Sequence, residues 1–169
     1  MAEVSNSARD RFFNFISWLE KLLVVAVAAG TLLNYQDFEG GKELLLSSLA
    51  GLAIVFVVLA YKPKEIFASQ EEADEFGELT FFDFFALIVI PRVLWLASGI
   101  STFGIFAYAA NFGNDGYVKV LGIGGSTILI AILFLFGVFI KGTKKLDTLL
   151  PILTRALIAA IVAVYIYYS

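Results

Sequence analysis

The chain has 169 residues, of which 60% are hydrophobic and 16% charged, and its mean hydropathy of +0.87 lies far above the soluble range. Fifteen acidic and twelve basic residues give no basic excess of the kind that would suggest nucleic-acid binding. Cysteine and histidine are absent and methionine occurs once, so the common protein ligands of zinc, haem and iron–sulfur clusters are missing. The composition predicts an integral membrane protein with no nucleic-acid partner, cofactor or metal.

The N-terminal region predicts an interfacial helix that leads into a membrane span. Apolar residues recur at helical spacing in residues 6–17, and polar residues fall on the opposite stripe. This pattern is typical of an amphipathic helix in the headgroup layer. The first span is expected at residues 18–35, where the apolar run ends in the polar residues Asn34 and Gln36.

The second span is expected at residues 42–62, because about 20 apolar residues cross a hydrocarbon core of roughly 30 Å. Gly40 and Gly41 indicate the turn before it, and Pro63 follows its end. Residues 63–79 then contain six acidic residues and no base after Lys64. We interpret this segment as a solvated cytoplasmic loop, and its alternative is a docking site for a basic partner.

Residues 80–110 are too long for one upright span, since a helix rises about 1.5 Å per residue. We therefore predict an interfacial helix at 80–90, bent at Pro91, and a third span at 92–110. Thr80 and Asp83 are suitable for the helix start, where an acid is favourable.

The last two spans are expected at residues 118–140 and 148–168, after the turn signals NFGNDG and KGTKK. The fold class is therefore an all-α integral membrane protein, a bundle of about five transmembrane helices in a single domain.

The two outer turns, before spans 2 and 4, each contain a Phe, a glycine turn and a Lys. This similarity indicates either a tandem duplication or convergence of two membrane hairpins.

The basic residues orient the bundle, because Lys and Arg are enriched on the cytoplasmic side. The opposite side carries only Lys42 and Lys119, and Arg155 falls within a span. This bias predicts a cytoplasmic N-terminus, an outer C-terminus and a bacterial inner (plasma) membrane. The nine basic residues assigned to the inner side are Arg9, Arg11, Lys21, Lys62, Lys64, Arg92, Lys141, Lys144 and Lys145.

Charged residues within the spans are candidates for function, because charge is costly in hydrocarbon. A Glu20–Arg155 pair and an Asp83–Arg155 pair both fit the sequence. In a regular α-helix, Asp83 and Arg92 would lie on opposite faces. We interpret Asp83 as an interfacial helix-start acid, and the alternative is a proton-carrying site. The candidate intramembrane charges are Glu20, Lys21, Asp83, Arg92 and Arg155.

Small residues four or five positions apart indicate faces where helix backbones approach closely. The alternative interpretation of these small-residue faces is a substrate groove. The candidate packing pairs are Ala26 with Gly30, Ser47 with Gly51, Gly99 with Gly104, and Gly122 with Ser126.

No catalytic constellation occurs in the sequence, which favours a non-enzymatic role. The preferred function is an accessory or scaffold subunit that contacts lipid and other membrane subunits, or itself. The first alternative is a small oligomeric transporter or channel that uses the inner charges. A lipid-acting enzyme is a third hypothesis, but the phosphate-binding loops of known enzymes are missing. An anionic lipid is a candidate ligand of Lys141, Lys144 and Lys145.

Overall fold

The computed structural model describes residues 2–62, 81–112, 116–140 and 149–168, and the regular structure in these ranges is helical. Five helices are long and apolar enough to cross a membrane. This confirms the all-α fold class and indicates a multi-pass membrane protein. The acidic loop, Thr80, Lys141, Lys144 and Lys145 lie outside the described residues. The helices are α1 (Ala2–Tyr35), α2 (Gly41–Leu59), α3 (Phe81–Ala109), α4 (Gly116–Ile140) and α5 (Leu150–Tyr168).

α1 is one helix of 34 residues, without a break between the interfacial part and the span predicted from the sequence. The chain offers no glycine or proline between Ala2 and Ala29 to interrupt it. At about 1.5 Å per residue α1 is about 50 Å long, well beyond a hydrocarbon core of roughly 30 Å. α1 is therefore longer than an upright span requires. Whether residues 6–17 lie along the headgroup layer stays a prediction.

The turn between α1 and α2 uses its two glycines for different purposes. Gly40 has a φ of +84°, in the left-handed region that L-residues with a side chain rarely adopt. Gly41 instead allows close packing, because a Cβ atom there would lie 2.6 Å from the backbone nitrogen of Asn34. The turn is closed by a hydrogen bond from the backbone N–H of Phe38 to the carbonyl of Leu33, with a length of 2.9 Å.

α3 continues through Pro91 by means of a π-helical segment at Phe85–Val89. The backbone N–H of Ile90 donates to the carbonyl of Phe85, one residue further back than in an α-helix. A proline ring clashes with the carbonyl four residues earlier, and the wider π turn relieves this clash without a break.

The π segment changes which residues share a face of α3. Its additional residue rotates the first turn by about 100° relative to a regular α-helix. The opposite-face placement of Asp83 and Arg92, which assumes a regular helix, therefore does not apply. The structure has one continuous helix, Phe81–Ala109, where the sequence predicted two elements at 80–90 and 92–110. The bend at Pro91 stays a prediction. Whether the first turns of α3 are interfacial also stays a prediction.

α3 is the central helix of the bundle, with α2 on one side and α4 and α5 on the other, while α1 packs mainly on α2. Half of the most apolar window of α3 is buried, compared with 17% for α1. One buried cluster joins α3, α4 and α5, and a second joins α1 and α2. Trp95 packs against both clusters.

Candidate functional site

A cavity of about 750 Å³ opens at the end of the bundle where α1 and α5 begin and α2 ends. Four helices form its wall, and α1 and α3 each contribute four residues at helical spacing. We call it the basic cavity. Its lining residues are Arg9, Asp10, Phe13, Asn14, Leu59, Ala60, Lys62, Ile88, Pro91, Arg92, Trp95, Pro151 and Ile152.

The lining of the basic cavity has three cations and one carboxylate, a net charge of plus two. Arg9, Lys62 and Arg92 come from α1, the residues just after α2, and α3, and all three side chains are exposed. No described carboxylate forms an ion pair with any of them. Of these three cations, only Arg92 was predicted from the sequence as a candidate site residue.

Behind the cavity wall, Arg155 of α5 forms an ion pair with Glu20 of α1. Its Nε donates to Glu20 Oε1, and its Nη1 donates to the carbonyl of Pro151 at 2.6 Å. The side chain of Glu20 is 4% exposed and that of Arg155 is 28% exposed. Of the two partners that the sequence offered for Arg155, the structure places Glu20 beside it.

The direction of the Arg155 side chain follows from the geometry of α5. Side chains on a helix lean toward its N-terminus, so the guanidinium extends back to Pro151, one turn earlier. Pro151 lies in the first turn, where its missing N–H removes no helical hydrogen bond. Since α1 otherwise packs mainly on α2, this ion pair is a direct link from α1 to α5.

Trp95 connects the ion pair to the cavity, and it was not predicted from the sequence as a site residue. Its ring lines the basic cavity, and the Cζ atom of Arg155 lies 5.8 Å from the ring centroid, within cation–π range. The ring centroid of Phe56 is 5.4 Å away on α2. Trp95 lies three residues after Arg92, and residues three apart share a helix face. This spacing was the signal in the sequence that could have placed Trp95 beside Arg92.

The other two candidate charges lie elsewhere on the helices. Lys21 is exposed on α1, next to the buried Glu20. Asp83 is half-buried in the first turn of α3. The structure thus brings Glu20 and Arg155 together directly and places Arg92 at the nearby cavity.

Four of the five candidate packing glycines lie at close contacts between helices. A Cβ atom on Gly30 would lie 2.7 Å from the backbone nitrogen of Leu45, and one on Gly99 would lie 3.1 Å from the carbonyl oxygen of Ala53. Gly51 and Gly104 instead face leucine side chains, Leu23 and Leu121 respectively. These contacts join α1 to α2, α2 to α3, and α3 to α4.

The remaining candidate packing residues are less closely packed. Gly122 has its nearest neighbour, an atom of the Tyr167 ring, at 4.0 Å, and Ala26 is half-buried. Ser47 and Ser126 are exposed and donate to carbonyls of their own helices. Among the described glycines between α3 and α4, Gly124 is the most closely packed. It was not predicted from the sequence, because GIGGS offers several glycines without indicating their rotation.

Among the described residues, no group of three or more acidic side chains is placed to hold a metal ion. Comparison of this chain with protein-family models, curated proteins and solved structures finds no match.

Proposed function

We propose that this chain is a non-enzymatic accessory or scaffold subunit of a larger membrane assembly, acting through helix–helix and lipid contacts. The observation that supports this role is an apolar groove of about 490 Å³ between α2 and α3. Its lining is apolar throughout, and Ala53 and Gly99 are its smallest members. We call it the apolar groove. It is lined by Ala53, Ile54, Val57, Val58, Gly99, Ile100, Phe103 and Val120.

A transmembrane helix of another subunit is the occupant that this groove fits. Association in lipid depends on close packing, because lipid chains are as apolar as the helices, and small residues allow the backbones to approach. Ala53 and Gly99 are the small residues that would allow this approach in the apolar groove. The side chains of Ile54 and Phe103 are more than half exposed at its edges and would flank an inserted helix.

The cellular location and the lack of catalysis are also part of this proposal. The bias of basic residues toward the N-terminal side supports a cytoplasmic N-terminus in a bacterial inner membrane. The absence of histidine and cysteine from the sequence supports a role without acid–base or thiol catalysis.

Gentle extraction of the tagged chain from its native membrane, followed by native mass spectrometry, tests the accessory role. We expect a foreign subunit in stoichiometric amount. Ile54→Trp should reduce its occupancy about 5- to 150-fold, because overpacking an interface costs about 1–3 kcal/mol. Leu133→Trp is the matched control, since Leu133 on α4 is 70% exposed and Ile54 is 65% exposed.

Three outcomes contradict the accessory role. They are a clean homo-oligomer, a monomer that carries only lipid, and a foreign subunit whose occupancy falls equally in both tryptophan variants. The last result would show that the subunit binds elsewhere.

A small oligomeric transporter or channel is the second candidate, and polar groups along α3 favour it. Beyond Trp95, this helix carries Ser98, Ser101 and Thr102, all buried. The hydroxyls of Ser98 and Ser101 have no hydrogen-bond partner among the described residues. Together with the basic cavity and the ion pair, they extend a polar track along the central helix.

Ion-conductance measurements on the purified chain in planar bilayers separate the two candidates. The accessory role predicts no conductance above that of protein-free bilayers, in potassium chloride or sodium phosphate. A conductance that Asp83→Asn or Arg155→Met abolishes, while the oligomeric state is kept, would establish the transporter. A loss of partner subunits in the same variants, without any conductance in the parent, would support the scaffold.

A further inference from the structure

We propose that the basic cavity binds the phosphate of an anionic phospholipid, with the headgroup among its cations and the glycerol and upper chains along its apolar wall. This inference deepens the lipid-contact part of the proposed function and rests on it. It does not depend on the existence of a partner subunit.

The cations of the basic cavity converge from separate segments. Arg9 is on α1, Lys62 follows α2, and Arg92 is on α3, yet all three line one void. No described carboxylate pairs with them, although Asp10 lines the same void. Three like charges around one space repel each other, and a bound anion would remove this repulsion.

The types of cation suit a phosphate group. A guanidinium presents a planar fork of donors that matches two phosphate oxygens, and Arg9 and Arg92 provide two such forks. An ammonium is a compact charge with three donors, which Lys62 can direct to a third oxygen. The three side chains are exposed and no described carboxylate pairs with them, so none has to leave the core or break an ion pair with a described residue to reach a ligand.

The remainder of the lining indicates a lipid and not a free phosphate. Most of the other residues are apolar, including Phe13, Leu59, Ile88 and Ile152. Trp95 adds an aromatic ring, a residue type enriched at membrane interfaces. A cavity of about 750 Å³ holds a headgroup with its glycerol, within the usual range of ligand sites. A free phosphate would leave this apolar wall in water.

The net charge of the lining favours an anionic headgroup over a zwitterionic one. A net charge of plus two attracts phosphatidylglycerol, whose headgroup has one negative charge and no cation. The quaternary ammonium of phosphatidylcholine would be placed among three cations, with Asp10 as the single opposite charge. We therefore expect the cavity to discriminate between these two lipids.

The test is a lipid titration of the delipidated full-length chain, read by native mass spectrometry. Phosphatidylglycerol and phosphatidylcholine with identical acyl chains are compared, and inorganic phosphate is added as a competitor. We expect at least tenfold tighter binding of phosphatidylglycerol. The double variant Arg9→Gln/Arg92→Gln should weaken it on the order of ten- to a hundredfold, the usual effect of lost hydrogen bonds to a charged group.

The double variant Lys42→Gln/Lys119→Gln is the control, because it removes two exposed cations from the opposite end of the bundle. It should bind phosphatidylglycerol like the parent chain. Circular dichroism checks that each variant keeps its helicity, and Lys62→Gln replaces the arginine variant if that one unfolds.

Three results overturn the proposal. They are equal affinity for the two lipids, equal losses in the arginine and lysine double variants, and full competition by inorganic phosphate at the concentration of the lipid. The last one would assign the cavity to free phosphate. Failure to find a protein partner in the native membrane leaves this titration unaffected, so the two proposals fail separately.

Discussion

Replacing Arg155 with methionine is expected to lower the free energy of unfolding by about 3 kcal/mol, because the Glu20 carboxylate would remain buried without its partner. Glu20 is 3% exposed, so water cannot replace the guanidinium without opening the packing of α1. The same change removes the direct link between α1 and α5. The measurement is reversible unfolding in mixed micelles, followed by helicity.

The double variant Glu20→Gln/Arg155→Met separates the loss of the pair from the loss of packing. It removes both charges, so we expect its stability to lie within about 1 kcal/mol of the parent chain. Lys21→Met removes an exposed neighbouring cation and should change the stability by less than about 0.5 kcal/mol. A double variant as unstable as Arg155→Met alone would show that the buried charge is not the cause.

Gly124→Ala is expected to lower the free energy of unfolding by about 2–3 kcal/mol, since an added methyl group overpacks the contact between α3 and α4. The new Cβ atom would lie 2.8 Å from the backbone nitrogen of Ser101 and 3.1 Å from the carbonyl oxygen of Ala97. Backbone atoms cannot turn away as a side chain can. The two helices must therefore separate, and α3 is the helix on which α2 and α5 also pack.

Gly122→Ala, two residues away on the same helix, is the matched control for this contact. Its Cβ atom would have no neighbour closer than 4.0 Å, on the ring of Tyr167. We expect no loss of stability, and a gain of up to about 1 kcal/mol from the higher helix propensity of alanine. Thermal unfolding of both variants in the same detergent is the measurement. Equal losses in the two variants would contradict the α3–α4 packing described here.

The ion pair and the basic cavity share a wall, which connects the stability of the bundle to its candidate binding site. Arg155 bonds to the carbonyl of Pro151 and lies against Trp95, and both of these residues line the cavity. Loss of Arg155 therefore removes support from the wall against which we place the lipid. The binding test changes only Arg9, Arg92 or Lys62, so the wall remains intact in those variants.

The candidate site was only partly predictable from the sequence. An isolated charge in an apolar run is visible without a structure, because its cost in hydrocarbon depends on its own segment. Glu20, Arg92 and Arg155 were found in this way. The choice of Glu20 over Asp83 as the partner of Arg155 was not predictable, since the pair is separated by 135 residues. Arg9 and Lys62 were used only to orient the bundle, and Trp95 was missed.

The amino-acid sequence was enough to predict the all-helical class, the number of long apolar helices and the glycine turn before α2. These properties depend on the hydropathy and backbone preferences of single segments. Three features became visible only in the folded chain. α3 continues through Pro91 by a π turn, Gly124 and not Gly122 contacts α3, and three cations surround one cavity. The reason is that the rotation of a helix about its axis is set by the surface of its neighbours, which no single segment contains.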